Sequence, residues 1–266
     1  MMIQALGIPS HCAQWGEGEN ILLLHGWGKA VTLDRHLAPL AQALQPGYRV
    51  TALEFPAHGR SGKPGEPWGV PQYAAWTQEM MRQLGIESAT VVAHSFGGRV
   101  ALWLAANQPQ LVRRLVLTGA AGLKREQTEQ EKADQARYQA HKQRLEGLKK
   151  LPLLGGVADS LQRRLRDQRS SADYLEADED MKATFVRIIS QDLSGLLPRV
   201  KQPALLLWGD RDDATPLWMG QRMEKEMPDA ALVVFQGRGH FAYLEELARF
   251  ALIVRAFVTE DNKTRV

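Results

Sequence analysis

ATVVAHSFGGRVALWLAAN, residues 89–107, decides the fold. Residues 89–93 are a short, largely apolar run, which suits a buried strand. Residues 96–107 carry a helical pattern that stops before Pro109. Strand passes into helix with no loop between them, so Ser95 sits at the apex of a sharp, strained turn. The residues two places away, Ala93 and Gly97, pass close to each other and must be small. The apex sets the Ser95 hydroxyl at the carboxyl end of the strand. The Phe96 N–H, in the first turn of the helix, has no intrahelical acceptor and lies at the positive end of the dipole. Such a donor can hold a developing oxyanion. The turn lacks G-x-G-x-x-G and the lysine of a phosphate-binding loop, which argues against a nucleotide cradle.

Outward from this turn the same rhythm repeats. Residues 21–25 (ILLLH), 49–53, 111–118, 204–208 and 231–235 read as strands. Residues 33–44, 72–84, 217–227 and 242–258 read as helices, and 55–69 as a Pro/Gly loop. Alternation of this kind predicts an α/β fold, a mostly parallel sheet with helices on both faces. Residues 10–15, followed by Gly16-Glu17-Gly18, predict an edge hairpin with 21–25. Residues 122–200 break the rhythm, being polar, helical and without strands. We read them as a helical cap inserted into a core formed by 1–121 and 201–266. Within the insertion, the basic stretch 149–169 and the acidic stretch 173–180 read as solvated surface. Met181, Phe185, Ile188 and Ile189 recur at helical spacing and are expected to pack the cap onto the core. The tail 259–266 is expected to fray.

The 266 residues carry a net charge of +3, with opposite charges interspersed. A mild excess without a reading motif argues against nucleic-acid binding. The one cysteine, Cys12, cannot form an internal disulfide. The first twenty residues lack the pattern of a secretory signal. No apolar run is long enough to span a membrane, so the expected address is the cytoplasm. No cluster of metal-ligand spacing occurs, and neither metal nor cofactor is expected.

A serine hydroxyl needs an adjacent base to attack. Of the seven histidines, His36 and His141 fall in predicted helices, His11 in an edge strand and His58 in the Pro/Gly loop. His94 adjoins Ser95, but elbow geometry turns neighbouring side chains apart. His240, in Gly237-Arg238-Gly239-His240-Phe241, follows the last strand and faces the crevice at the carboxyl end of the sheet. After residues 205–208, Asp210, Asp212 and Asp213 all offer the carboxylate that would accept the outer N–H of the histidine. The loop His25-Gly26-Trp27-Gly28 follows another strand, where a serine hydrolase finds its second oxyanion donor. We assign that donor to the Trp27 N–H and the first to Phe96. His25 is expected to bond loop backbone, and His25, Gly26 and Phe241 to border the substrate. The chain order is Ser, Asp, His.

These motifs together resemble the α/β-hydrolase superfamily along nearly the whole chain. HGWG at 25–28, FPAHGRSG at 55–62, AHSFGG at 93–98, WGDRDDATP at 208–216 and GHFAYLEE at 239–246 occur in the family's order. The family pattern G-x-x-D-x-x-x-P maps Asp212 onto the triad acid, with Gly209 and Pro216 as anchors. FPAHGRSG is similar to the family loop D-x-P-G-x-G-x-S, with Glu54 and Ala57 as departures. Ser95 argues against the branches that use an aspartate nucleophile. The C–C bond hydrolases of the family carry Asn before the nucleophile and Trp after the histidine; His94 and Phe241 stand there. The resemblance therefore implies a carboxylesterase-like serine hydrolase acting on small to medium, largely apolar esters. Trp27, Phe96 and Phe241 are expected to wall its pocket. A lactonase, a thioesterase or a C–C hydrolase is the alternative within the fold. A ligand-binding protein with a vestigial triad is the alternative outside enzymology.

Overall fold

Apolar runs such as ILLL need cover on both sides, and the computed structural model provides it. It describes residues 1–124, 129–149, 160–162, 164, 174–175 and 177–259. The strands are β1 (Met2–Ala5), β2 (Ile8–Trp15), β3 (Glu19–Leu24), β4 (Tyr48–Leu53), β5 (Ala89–His94), β6 (Val112–Thr118), β7 (Ala204–Gly209) and β8 (Ala230–Phe235). They form one sheet in the order β1-β2-β4-β3-β5-β6-β7-β8. β2 pairs antiparallel with β1 and β4; the pairs from β4 to β8 are parallel.

The helices are α1 (Leu33–His36), α2 (Ala38–Leu44), α3 (Val70–Gln83), α4 (Phe96–Asn107), α5 (Glu129–Lys149), α6 (Glu179–Ser190), α7 (Trp218–Glu226), α8 (Ala242–Glu245) and α9 (Leu247–Thr259). In β3, Leu22 and Leu24 enter one core with α3, α4 and α7. Ile21 and Leu23 enter the other, with α1, α2, α8 and α9. A strand with period-two side chains and helices on both faces must be apolar at every position.

The structure corrects the edge hairpin. β2 does not pair with β3; β4 lies between them. The hairpin is β1–β2, turning at Leu6 and Gly7, both with positive φ. The predicted helix 33–44 breaks at Leu37, because Pro39 brings no N–H to the first turn of α2. The predicted helix 242–258 breaks at Glu246, whose carboxylate is taken by Arg238 and Arg249.

The chain divides into two compact units, Met1–Leu123 with Asp178–Val266, and Lys124–Ala177. Residues 178–200, grouped with the insertion on sequence pattern, fall in the first unit. There Met181, Phe185 and Ile188 of α6 are buried, while Ile189 is 44% exposed and does not pack as expected. In the second unit α5 is the long described helix, as the polar helical pattern requires. Most of the basic stretch 149–169, part of 173–180 and the tail beyond 259 lie outside the described residues. Among the described residues no helix is long and apolar enough to cross a membrane.

Candidate active site

Ser95 lies between β5 and α4 at φ 50°, ψ −111°. An L-residue there is strained by about 1–3 kcal/mol, so its surroundings must hold it. The Ser95 N–H donates to the Thr118 carbonyl at 3.2 Å, and its own carbonyl accepts from Gly98 and Ala121, each at 3.0 Å. A Cβ on Gly97 would come within 2.6 Å of the Leu24 carbonyl oxygen and 2.8 Å of that of His25. A Cβ on Gly98 would overlap Ala120. The glycines after the apex therefore let α4 start directly against the ends of β3 and β6.

Two loops converge beside it. His240 Nδ1 meets Asp212 Oδ2 at 2.9 Å and Oδ1 at 3.1 Å. The Asp212 side chain is fully buried, that of His240 18% exposed. Asp212 Oδ1 also accepts the N–H groups of Ala214 and Thr215, at 3.0 and 2.8 Å. The rival acids are used elsewhere or exposed: Asp210 accepts the Gly237 N–H at 2.6 Å, and Asp213 faces solvent. A carboxylate can take only a proton from His240 Nδ1, so Nε2 keeps its lone pair. His240 and Ser95 share neighbours. A Cβ on Gly119, the residue after Thr118, would sit 3.1 Å from His240 Nδ1 and 2.9 Å from Asp212 Oδ2. Neither Ser95 Oγ nor His240 Nε2 hydrogen-bonds another side chain among the described residues.

The loop expected to carry the second oxyanion donor passes close to the serine. A Cβ on Gly26 would stand 3.2 Å from the Ser95 Cβ, so the loop before Trp27 runs past the serine. Among the described residues neither the Trp27 nor the Phe96 N–H donates to a backbone carbonyl. The Trp27 ring meets Phe96 at 5.5 Å, Phe185 of α6 at 5.5 Å and His58 at 4.9 Å. The Phe241 ring meets His94 at 4.9 Å, His240 at 5.3 Å and His36 at 5.7 Å.

His25 departs from its expected place at the substrate. It is fully buried, Nδ1 donating to the Gly26 carbonyl at 2.7 Å and Nε2 accepting the Phe55 N–H at 2.9 Å. Both nitrogens are consumed by backbone, so His25 locks two loops together. Burial, and then the neighbouring His58, hold its pKa well below the ordinary value. Burial likewise lowers His58 to about 4.

A sequence profile of the alpha/beta hydrolase fold matches residues 19–247. The chain belongs to the α/β-hydrolase family. It is 31% identical to a 2-hydroxy-6-oxo-6-phenylhexa-2,4-dienoate hydrolase of Delftia acidovorans, over 93% of this chain and 90% of that enzyme. It is 30% identical to an uncharacterized protein of Mycobacterium tuberculosis, over 91% of this chain and 76% of that one. Among solved structures, a meta-cleavage product hydrolase of Pseudomonas fluorescens superposes with a TM-score of 0.74 at 24% identity, covering 98% of each chain. An enol-lactonase of Burkholderia xenovorans gives 0.71 at 22%, covering 97% and 100%. These likenesses in structure fix the fold.

The hydrolase's departures from the family loop at 54–61 now have a physical form. Ala57, at the family's glycine, has φ 66°. Glu54, at the family's aspartate, is buried and accepts the N–H groups of Leu33 and Arg60 and pairs with His11 Nδ1 at 3.0 Å. Sequence reasoning missed Thr215, whose Oγ1 lies 2.8 Å from both Asp212 Oδ2 and the Gly119 carbonyl and 3.2 Å from His240 Nδ1. A threonine three places after an aspartate is a turn signal, and that signal was there to read. It also left His94 without a part. Its Nε2 lies 3.0 Å from the His240 carbonyl oxygen.

Proposed function

We propose that this hydrolase cleaves carboxylic esters of small to medium, largely apolar substrates through an acyl-enzyme. The observation that carries the reading is the Asp212–His240 pair beside a serine held at positive φ. His240 Nε2 takes the Ser95 proton as Oγ attacks the carbonyl carbon. The Trp27 and Phe96 N–H groups receive the oxyanion. The imidazolium, stabilised by Asp212, returns the proton to the leaving alkoxide. Water then attacks the acyl-enzyme, His240 taking its proton, and the carboxylic acid leaves with Ser95 restored. The rings of Trp27, Phe96 and Phe185 favour an apolar acyl group.

The names of the relatives favour a second reading, C–C bond hydrolysis of a 2-hydroxy-6-oxo-dienoate. It shares the acyl-enzyme; the leaving group is then protonated at carbon instead of oxygen. A panel of p-nitrophenyl esters beside a 2-hydroxy-6-oxo-dienoate separates the two by kcat/KM. Ser95→Ala should abolish either activity, and full turnover in that variant would sink both.

A further inference from the structure

His94 precedes the nucleophile, yet its side chain lies on the opposite face of the sheet from Ala93. Ala93 enters the core with α3 and α4. The ring of His94 meets that of His240 at 4.5 Å, Phe241 at 4.9 Å and Tyr243 at 4.9 Å, the last from α8. It is 4% exposed. Its Nε2 is 3.0 Å from the backbone carbonyl oxygen of His240. A carbonyl only accepts, so Nε2 carries the proton. Its Nδ1 edge faces Gly26, where a Cβ would come within 2.9 Å.

We propose that His94 is a positioning residue for the base: its Nε2–H holds the His240 carbonyl, and its ring is the floor against which the His240 imidazole stands. The proposal rests on the serine-hydrolase reading above. The His240 loop is rich in glycine and must be fixed from outside. Asp212 fixes the ring at Nδ1, while Asp210, the Arg211 N–H and Glu245 hold the backbone of residues 237–239. The His94 bond extends that anchoring to the His240 carbonyl itself, and it does so from the residue adjoining the nucleophile. Base and nucleophile are thus referred to one strand end.

The ring must also stay uncharged, because a second cation beside the His240 imidazolium would oppose the proton transfer. The titratable groups around it are His240 after β8, His36 of α1, His25 after β3 and Tyr243 of α8. Burial, then His240, His36 and His25, hold its pKa well below the ordinary histidine value.

The test compares His94→Leu, which fills the volume without a donor, with His94→Gln, whose amide nitrogen restores one. Readouts are kcat, KM and the rate of Ser95 labelling by a fluorophosphonate. A base displaced by about 1 Å costs about 10²-fold. His94→Leu should therefore lose about that in kcat and labelling with KM little changed, and His94→Gln should regain most of it. Unchanged labelling in His94→Leu overturns the proposal, as does a His94→Gln variant equally slow. A wild-type protein that does not label overturns the serine-hydrolase reading with it. Should His94→Leu not fold, ring ¹⁵N spectra of the wild-type protein decide. His94 is expected as the neutral Nε2–H tautomer from pH 8 to pH 5; titration in that range, or the Nδ1–H tautomer, overturns the assignment.

Discussion

Replacing Asp212 by asparagine changes one oxygen to nitrogen, and the surroundings dictate which. Oδ1 accepts two backbone N–H groups, from Ala214 and Thr215. Neither donor can turn round, so the asparagine oxygen must stay there. The amide NH₂ then occupies the Oδ2 position, 2.9 Å from His240 Nδ1. Two donors cannot share that space. His240 must move its proton to Nε2 and accept from the amide through Nδ1. The nitrogen that should deprotonate Ser95 then carries a hydrogen.

The fold loses little, since every polar atom keeps a partner. The loss of one charge-assisted bond costs less than about 3 kcal/mol. Catalysis loses far more: the wrong tautomer in serine proteases costs about 10⁴-fold, or about 5.5 kcal/mol of barrier. The assay is kcat/KM on p-nitrophenyl butyrate, with circular dichroism melting as the control for folding. Asp213→Asn, at an exposed carboxylate, should change stability by no more than about 0.5 kcal/mol and leave turnover near wild type. A folded Asp212→Asn protein within about tenfold of wild-type activity, a barrier change below 1.4 kcal/mol, would refute the tautomer argument.

Two further outcomes follow from the same geometry. Gly97→Ala drives a methyl against the carbonyl oxygens of Leu24 and His25. Overpacking of this kind costs about 1–3 kcal/mol, so melting should fall by several degrees and activity with it; an unchanged melting point would show that the elbow has room. Acid should unfold the protein early. His25, His58 and His94 have pKa values lowered chiefly by burial, His58 to about 4. In the unfolded chain each binds a proton near pH 6.5 and in the folded chain it does not, so the unfolded state holds more protons below that pH. Stability is complete above about pH 6.5 and falls with pH below it, each histidine adding up to about 1.4 kcal/mol per pH unit. For His58 the loss ends near pH 4. Urea unfolding at pH 7, 6 and 5 checks this, and a stability that holds or rises toward pH 5 would contradict it.

The sheet and the elbow were legible because their signals are local. Residues 21–24 are apolar at consecutive positions and 89–93 at all but Thr90, which a strand allows only with cover on both faces. Glycines at 97 and 98 sit where backbone crosses backbone. The hairpin was misread because strand neighbours are chosen by non-local pairing: nothing in residues 10–25 announces that β4 lies between β2 and β3. The break at Glu246, where the backbone turns to φ −128° and ψ 50°, was hidden because no proline or glycine in 242–250 announces it. The spacing of Met181, Phe185 and Ile188 correctly gave the buried face of α6. It misplaced Ile189, which lies about 100° around the helix from Ile188 and faces out. Asp212 could be told from Asp210 and Asp213 only by likeness to a family pattern. The structure supplies the physical ground: the backbone N–H groups of 214 and 215 turn one carboxylate inward, while Gly237 captures another.

What each imidazole touches separates His240 from the other histidines more sharply than its place in the chain. His25 gives both nitrogens to backbone. The Nδ1 of His58 faces the Pro56 carbonyl, and the Nε2 of His94 faces that of His240. A carbonyl partner fixes a tautomer, but its dipole steadies a positive ring far less than a carboxylate does. His11 has a carboxylate, Glu54, yet its Nε2 is covered by the Arg60 guanidinium at 3.2 Å, which blocks the lone pair. A general base needs both halves: an anion at one nitrogen to stabilise the charge it acquires, and an open lone pair at the other to acquire it. Among these histidines His240 combines the two, which is why the base is sought at the end of β8 and not beside the serine in sequence.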